Sequence, residues 1–574
     1  MARPAHTEAW LPTSVKEVRA RGWEQLDVIL FTGDAYVDHP SFGAAVIGRL
    51  LEAAGYRVAI VPQPNWRDDL RDFRKLGPPR FFFGVTAGAM DSMVSHYTAN
   101  LRLRSNDAYT PGGQTSFRPD RAATVYTKIL KGIYPDIPVV LGGIEASLRR
   151  LTHYDYWSNS IKPSILVESG ADLVAYGMGD KVMTDVAKTL HNGFNMKLLR
   201  KIPQVAWLAD RQRAESVEGA IRLHSYEECR NDPRKFGENF VTIEVESNRW
   251  AAHPLVEPTG ESVVVVNPPY PLLTEAEIDR SFDLPYTRKP HPRYAGKGDI
   301  PAYEMIKNSV NLHRGCFGGC SFCTISAHQG KFIVSRSTAS ILREVEAIAA
   351  EPGFRGCLSD LGGPSANMWA MRGHDQKLCE TCTRPSCIHP RMCKNLNADH
   401  RPLLELYRRV RGVKGIKKAF IGSGIRYDMF LEGDGGYFSE VVRHHTSGRL
   451  KVAPEHTSEK VLALMRKPSF ALFEKLDADF KKICEANGLQ YQLIPYFISS
   501  HPGCTKGDMG ELAAITRRLK LHTEQVQDFT PTPMTLSSVM FWTGENPYTG
   551  EKLYVARNQD DKRNQKKYFF TPKK

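Results

Sequence analysis

Short apolar runs alternate with amphipathic segments over roughly the first 200 residues. The runs have the length of strands and lie at residues 26–31, 56–61, 80–85, 138–143 and 172–177. Between the first two, apolar residues recur at helical spacing over residues 42–55, which predicts a helix. Strands that alternate with helices favour a parallel sheet. We therefore predict an α/β fold whose N-terminal domain, residues 1–290 with a linker at its end, is an open parallel α/β sheet.

The same alternation returns after residue 300. Candidate strands lie at residues 309–312, 356–361, 417–421, 449–452, 490–498 and 525–529. Six strand–helix units fit an open, partial (β/α)6 barrel better than the closed barrel of eight units. We place this second domain at residues 300–535, with a cysteine-rich insertion at residues 366–400, and expect residues 536–574 to form a polar, basic C-terminal extension.

The composition is that of a globular protein and argues against a membrane-spanning or secreted one. Hydrophobic residues make up 41% and charged residues 24% of the chain, as in ordinary globular proteins. No apolar run reaches the roughly 18 residues that a membrane span needs, and residues 1–8 lack the apolar core of a signal peptide. These features predict a cytoplasmic protein without a membrane partner. In that reducing compartment, cysteine clusters hold metals more often than they form disulfides.

The net charge is +14, from 77 basic and 63 acidic residues. Such a surplus is compatible with a nucleic-acid partner, but no recognised nucleic-acid-binding module accompanies it. Part of the surplus is local to the end of the chain, where we expect a solvated tail. The basic residues concerned are Lys562, Arg563, Lys566, Lys567, Lys573 and Lys574.

Three cysteines in one glycine-bearing loop give the strongest chemical signal. Cys316, Cys320 and Cys323 have the spacing C-x3-C-x2-C and directly follow the strand at residues 309–312. Three thiolates can hold three irons of a [4Fe-4S] cluster and leave the fourth iron open to another molecule. Structural zinc and electron-transfer clusters normally take four protein ligands instead. The loop therefore predicts a reactive cluster.

A second group of cysteines lies in the insertion at residues 366–400. Its members are Cys379, Cys382, Cys387 and Cys393. The intervening sequence holds two prolines and few apolar residues, so this segment cannot fold by burying a core, and a bound metal would stabilise it. Four thiolates suit zinc and a second iron-sulfur cluster equally, and ligand type does not decide between them.

The loop C-F-G-G-C-S-F-C, with Phe322 before the last cysteine, resembles the signature loop of the radical S-adenosylmethionine (SAM) superfamily. With D-L-G-G-P-S-A-N-M, V-A-P-E-H and S-S-H-P-G, the whole chain resembles the YgiQ-type radical SAM proteins. The resemblance implies that SAM binds the open iron. It also implies that a low-potential donor reduces the cluster and that SAM cleavage yields a 5'-deoxyadenosyl radical. Gly362 and Gly363 match a glycine pair that contacts SAM, although Pro364 replaces the usual acid.

The N-terminal sheet resembles cobalamin-binding domains that precede the radical SAM domain in many relatives. Their axial histidine belongs to the motif D-x-H-x-x-G, whereas Asp38 and His39 are adjacent here. We therefore expect no bound cobalamin.

The motifs do not name a substrate or a catalytic residue. Glu455 and His456 form the best local acid/base pair, and a helix-capping or structural role for them stays open. Cys504 is expected to be an ordinary thiol. Two other classes of function stay open. An RNA-modifying methyltransferase or methylthiotransferase would use the basic surplus, and its RNA affinity would fall steeply with salt. A non-catalytic iron-sulfur redox sensor would not cleave SAM.

Overall fold

The computed structural model describes residues 9–193, 196–431, 435–521 and 526–570. The chain divides into two compact units. The first comprises Met1–Lys235, Ala251–Pro271 and Arg280–Lys307, and the second Phe236–Trp250, Leu272–Asp279 and Asn308–Lys574. Among the described helices, none has the length and apolar character needed to cross a membrane.

A nine-stranded sheet forms the centre of the first unit. Its parallel part contains, in spatial order, Val58–Pro62, Val28–Thr32, Phe82–Thr86, Val139–Leu141 and Leu173–Ala175. Almost all of these residues are buried, which explains why the strands are continuous apolar runs rather than alternating ones. The predicted α/β fold and its parallel strands are confirmed.

The sheet continues beyond the predicted strands with an antiparallel part. Val205–Asp210 pairs antiparallel with Leu173–Ala175, and Ser262–Val266 and Leu255–Thr259 follow, also antiparallel. Ile221–Arg222 forms the edge and pairs parallel with Leu255–Thr259. A two-residue turn at Gly260, whose φ is +57°, joins two of these strands. Such a short turn can connect only antiparallel neighbours.

Helices and small strand pairs complete the first unit. The segment expected to be a linker lies within it, since Lys289–Pro290 pairs with Val37–Asp38. His153–Asp155 pairs with Ser160–Lys162. The α-helices are Val15–Ala20, Gly43–Ala53, Arg71–Arg74, Ser92–His96, Ala122–Ile133, Gly143–Leu148, Ile165–Ser169, Asp180–His191, Met196–Leu199, Arg211–Glu215, Tyr226–Asn231 and Pro301–Ile306, with 3-10 turns at Pro111–Gly113 and Pro292–Tyr294.

Six parallel strand positions, as predicted, organise the second unit. They pair as Ser309–Asn311 with Asp360–Gly362, Cys357–Leu358 with Lys418–Ala419, and Arg449–Glu455 with Gln492–Ser499 and then Val526–Asp528. Gln525, included in the last predicted strand, lies outside the described residues. Antiparallel pairs join His313–Arg314 with Val334–Ser335, and Arg372–Gly373 with Leu396–Asn397.

Each strand of the second unit is followed by helix, and the apolar faces of both enclose one core. The α-helices that lie wholly in this unit are Ile325–Gln329, Thr338–Ala350, Lys377–Glu380, Arg401–Arg411, Gly435–His444, Glu459–Met465, Phe470–Ala486, Lys506–Arg518, Leu536–Thr543 and Gln559–Phe570, with a 3-10 turn at Tyr427–Met429. Helices Pro233–Ser247 and Glu275–Phe282 contribute their segments Phe236–Ser247 and Glu275–Asp279 to it.

The end of the chain is more ordered than its composition indicates. Lys562 and Gln565 of the last helix are each only 1% exposed, and the ammonium of Lys566 lies 2.6 Å from a carboxylate oxygen of Asp528. The expected solvated tail is therefore wrong for Lys562 and Lys566. Lys573 and Lys574 lie outside the described residues.

Candidate functional site

The three-cysteine loop follows the first strand of the second unit. Leu312 donates its backbone N–H to the Gly362 carbonyl at 2.7 Å, which anchors the start of the loop to the second strand. His313 is fully buried, and its Nε2 donates to the Ser365 carbonyl at 3.0 Å. Burial lowers the pKa of His313 to about 4, so the ring is neutral and supports the loop without adding charge.

Two glycines of the loop are required by backbone packing. Gly315 has φ +85°, and a Cβ there would lie 2.1 Å from the Phe332 carbonyl oxygen. Gly319 has φ +60°, and its Cβ would lie 2.3 Å from the Pro385 carbonyl oxygen. Both positions combine a left-handed conformation with a close approach, which only glycine accepts. The loop is therefore clamped between the chain at Phe332 and the chain at Pro385.

The three thiols of the loop are partly buried and lie near one another. Burial and the neighbouring Cys320 raise the pKa of Cys316 to about 11 and that of Cys323 to about 12. Without a metal these two thiols are protonated at neutral pH, and a bound cation would have to displace their protons. In the described part of the chain, no three His, Cys, Asp or Glu side chains converge on a single metal ion.

Arg426 is a site residue that the sequence analysis missed. Its Nη1 donates to the Cys320 sulfur at 3.2 Å, and its Nε and Nη2 donate to Asp428 at 3.0 and 2.6 Å. Asn367, in D-L-G-G-P-S-A-N-M, holds the Arg426 backbone by accepting from its N–H at 2.8 Å and donating to its carbonyl at 3.0 Å. A positive, fixed guanidinium therefore faces one cysteine sulfur.

Gly362 and Gly363, the predicted SAM contacts, both have packing reasons to lack a side chain. A Cβ on Gly362 would lie 2.7 Å from the Ser423 hydroxyl, and one on Gly363 would lie 2.6 Å from Nε2 of His313. The pair thus lets the second strand approach the third strand and the base of the loop. Contact with SAM stays a prediction for both residues.

Glu455 and His456, the acid/base pair suggested by the sequence, contact different partners. Glu455 has φ +69°, and its carboxylate lies 3.6 Å from the Lys467 ammonium. His456 accepts from the Ser458 N–H through Nδ1 at 3.0 Å, so Nε2 carries the proton and faces the Cys504 sulfur at 3.5 Å. Burial lowers the pKa of His456 to about 4 and raises that of Cys504 to about 12. This cysteine is a buried, neutral thiol.

A small cavity of about 40 Å³ lies over the loop. Ligand pockets start at roughly 300 Å³, so this cavity alone is too small to hold a ligand the size of SAM. The helix Pro233–Ser247 forms one wall, and its Glu244 accepts from Arg466 at 2.7 and 2.9 Å and from the Tyr548 hydroxyl. The lining includes Phe240, Ile243, Glu244, Cys320, Cys323, Pro385, Met534 and Leu536.

The second cysteine group lies against the three-cysteine loop. Cys387 donates its backbone N–H to the Phe317 carbonyl at 3.0 Å. Lys331 points its ammonium at the Cys382 sulfur, 3.6 Å away. The electrostatic neighbours of Cys387 include the other three thiols of its group. The fold therefore brings all four cysteines together beside the first loop, and their metal stays a prediction.

His39 lacks the aspartate partner of the axial-histidine motif. Asp38 accepts from Arg49 at 3.0 Å rather than from the histidine. His39 accepts from the Ser41 N–H through Nδ1 at 3.1 Å, so the neutral ring carries its proton on Nε2. At the carboxyl edge of the parallel strands, Arg118 bridges Asp34 and Asp107 at 3.1 and 3.0 Å. The expectation that no cobalamin binds stays a prediction.

Comparison with known families gives two matches. The family model "Radical SAM N-terminal" matches residues 10–309, and the "Domain of unknown function (DUF3362)" matches residues 524–570.

Close relatives match almost the whole chain. A "UPF0313 protein" of Porphyromonas gingivalis is 58% identical over 580 residues, covering 99% of this chain and 91% of the relative. A "UPF0313 protein" of Bacteroides thetaiotaomicron is also 58% identical, over 581 residues, covering 98% of this chain and 94% of the relative.

Among solved structures, the fold is similar to the radical S-adenosylmethionine methyltransferase TsrM from Kitasatospora setae, solved with cobalamin and a [4Fe-4S] cluster bound. The TM-score is 0.50 at 15% identity, covering 90% of this chain and 74% of that chain. At this identity the likeness concerns the fold alone.

Proposed function

Because the chain belongs to the UPF0313 family of YgiQ-type radical SAM enzymes, we propose that Cys316, Cys320 and Cys323 bind its [4Fe-4S] cluster. SAM would bind the open iron, and one electron from an external low-potential donor would break the bond between sulfur and C5'. The products are methionine and a 5'-deoxyadenosyl radical, which takes a hydrogen atom from the substrate to become 5'-deoxyadenosine. The cofactors supply this chemistry, and the protein orients and shields them.

The grouping of three cysteine thiols in one clamped loop is the observation that carries this proposal. Three thiolates are the ligand set of a cluster with an open iron, and thiolate is the preferred iron-sulfur ligand. The guanidinium of Arg426, 3.2 Å from the Cys320 sulfur, offsets part of the negative charge that these thiolates carry once metal is bound. The free state of all eleven cysteines supports a reducing compartment, and we place the enzyme in the cytoplasm.

Gly362 and Gly363 are the proposed SAM contacts. Both lie where the second strand ends, next to the base of the cysteine loop. The Gly362 carbonyl already accepts from Leu312, which favours the backbone of Gly363 as the point of contact. A glycine there lets a ligand reach bare backbone.

The proposal is tested by anaerobic reconstitution with iron and sulfide, reduction with dithionite in the presence of SAM, and chromatography of 5'-deoxyadenosine. Wild-type protein is expected to form it, and Cys320→Ala, which removes one cluster ligand, is not. Cys357→Ala is the matched control, because Cys357 is exposed and lies outside both cysteine groups. If a reduced [4Fe-4S] cluster exposed to SAM gives no product, the proposal is wrong.

A further inference from the structure

Lys331 is a buried cation beside the second cysteine group. Its side chain is only 1% exposed. The ammonium donates to the Arg384 carbonyl at 2.8 Å and to the Cys382 sulfur at 3.6 Å, and it lies 4.9 Å from the centre of the Phe332 ring. Within the described residues, no Asp or Glu carboxylate lies within ion-pair distance of it.

A buried ammonium needs a nearby negative charge, because moving an unpaired charge out of water costs several kcal/mol or more. One carbonyl dipole and one aromatic ring offset only part of this cost. The groups beside Lys331 that can become anionic are the cysteines, since its charge acts on both Cys379 and Cys387 and its ammonium contacts Cys382. The buried ammonium thus faces sulfurs that can supply the balancing negative charge once they bind a metal.

Backbone hydrogen bonds also connect the four cysteines in pairs. The Cys382 N–H donates to the Cys379 carbonyl at 3.3 Å, and the Cys393 N–H donates to the Cys387 carbonyl at 2.7 Å. A second polar donor, Nδ2 of Asn395, lies 3.5 Å from the Cys379 sulfur. Donors aimed at sulfur stabilise thiolate ligands and tune the metal that they bind.

We infer that Cys379, Cys382, Cys387 and Cys393 bind a second iron-sulfur cluster as four thiolates, and that Lys331 is its buried counter-charge. Four protein ligands leave no iron open, so this cluster carries electrons and does not bind SAM.

The four sulfurs do not share one metal position, as a zinc site would require. A tetrahedral zinc ion needs all four sulfurs about 2.3 Å from one point. No three or more potential ligands among the described residues, which include all four of these cysteines, meet around a single ion. In an iron-sulfur cluster the thiolates bind different irons and stay farther apart. The three cysteines of the first loop, where the family implies a cluster, have the same open arrangement.

The decisive experiment isolates the second site in the full-length chain. The signature cysteines are replaced together (Cys316→Ala, Cys320→Ala, Cys323→Ala), and the protein is purified and reconstituted anaerobically. Iron, zinc and acid-labile sulfide are then measured per chain, alongside the visible spectrum. We expect equal amounts of iron and sulfide, and their loss when Cys379→Ala and Cys382→Ala are added. Zinc without sulfide, or no metal at all, would overturn the inference.

The role of Lys331 is tested in the same background. Lys331→Met keeps most of the apolar stem without the charge and is expected to lower the iron and sulfide content at least twofold, whereas Lys331→Arg is expected to retain it. Lys377→Met is the matched control, because Lys377 is exposed within the same insertion. Circular dichroism checks that each variant is folded. Full cluster content in a folded Lys331→Met variant, at an unchanged reduction potential, would refute the counter-charge role.

Discussion

The guanidinium of Arg426 donates a hydrogen bond to the Cys320 sulfur at 3.2 Å, across 106 residues of sequence. Asp428 holds the same guanidinium through two further hydrogen bonds, and Asn367 fixes its backbone. The charge is therefore fixed in place before any metal binds, and it can influence the cluster more strongly than a mobile side chain would.

Replacing Arg426 by Gln is expected to lower the reduction potential of the cluster. Reduction adds negative charge, which a neighbouring cation stabilises, so loss of that cation disfavours the reduced state. We expect a fall of about 60 mV, which for one electron equals a tenfold change in the equilibrium constant. A redox titration followed by electron paramagnetic resonance measures it. Arg372→Gln, at an exposed arginine, is the control. An unchanged potential in Arg426→Gln would contradict the role.

Replacing Glu244 by Gln is expected to loosen the helix that covers the cysteine loop. Glu244 is the anionic partner of Arg466, which is 8% exposed, and hydrogen bonds to charged groups contribute about 1.5–3 kcal/mol. The metal-free variant is expected to open more often, so that alkylation of Cys320 accelerates about tenfold. Mass spectrometry of the labelled peptide measures the rate. Glu238→Gln, exposed on the same helix, is expected to leave the rate unchanged, and equal rates in both variants would refute the prediction.

Glu257 makes the first unit less stable as pH rises. It is fully buried, and among the described residues its hydrogen-bond donor is Thr152. Burial raises its pKa from 4.5 to about 7. The folded state thus keeps a proton that the unfolded chain releases, so stability falls between pH 4.5 and 7, by about 3 kcal/mol in total.

Glu257→Gln is expected to remove this loss, since the amide cannot ionise. Melting temperatures of wild type and variant are compared between pH 4.5 and 7.5, with the exposed Glu261→Gln as control. The difference between wild type and Glu257→Gln is expected to grow with pH in favour of the variant. A difference that does not depend on pH would show that Glu257 does not titrate in this range.

Cys504→Ser is expected to leave 5'-deoxyadenosine formation intact. The Cys504 thiol is fully buried, its raised pKa of about 12 keeps it protonated, and Gln565 accepts from it at 3.4 Å, as it could from a serine hydroxyl. Chromatography of the reaction products compares the variant with wild type. In the native protein, iodoacetamide at neutral pH is expected to label the exposed Cys357 and not Cys504. Loss of product in a folded Cys504→Ser variant would instead assign this thiol a chemical role.

Local pattern was sufficient for the strands and for the grouping of cysteines. Short apolar runs indicate all six strand positions of the second unit, because the apolar side chains that make each strand buried are consecutive in the sequence. The spacing of Cys316, Cys320 and Cys323 within one turn-rich loop required no knowledge of distant parts of the chain.

Contacts between distant segments could not be predicted in this way. Lys331 reaches Cys382 across 51 residues, and nothing in its neighbourhood distinguishes it from an ordinary surface lysine. The helix Pro233–Ser247 covers a loop that begins some 70 residues later. The sequence of the helix region is mixed and polar and gives no sign of this contact. Such pairings depend on which surfaces meet in the folded chain, and a single sequence records them only as scattered polar residues.

The hydrogen bond from the Cys387 N–H to the Phe317 carbonyl links the stability of the two cysteine segments. It makes the second cysteine segment a brace for the first loop, and the close fit of Gly319 under Pro385 tightens that brace. Oxygen damage that unfolds the brace therefore removes support from the loop beside it, even if oxygen never reaches that loop. Inactivation at one proposed site would then spread to its neighbour, and the two proposed metal centres would be lost together.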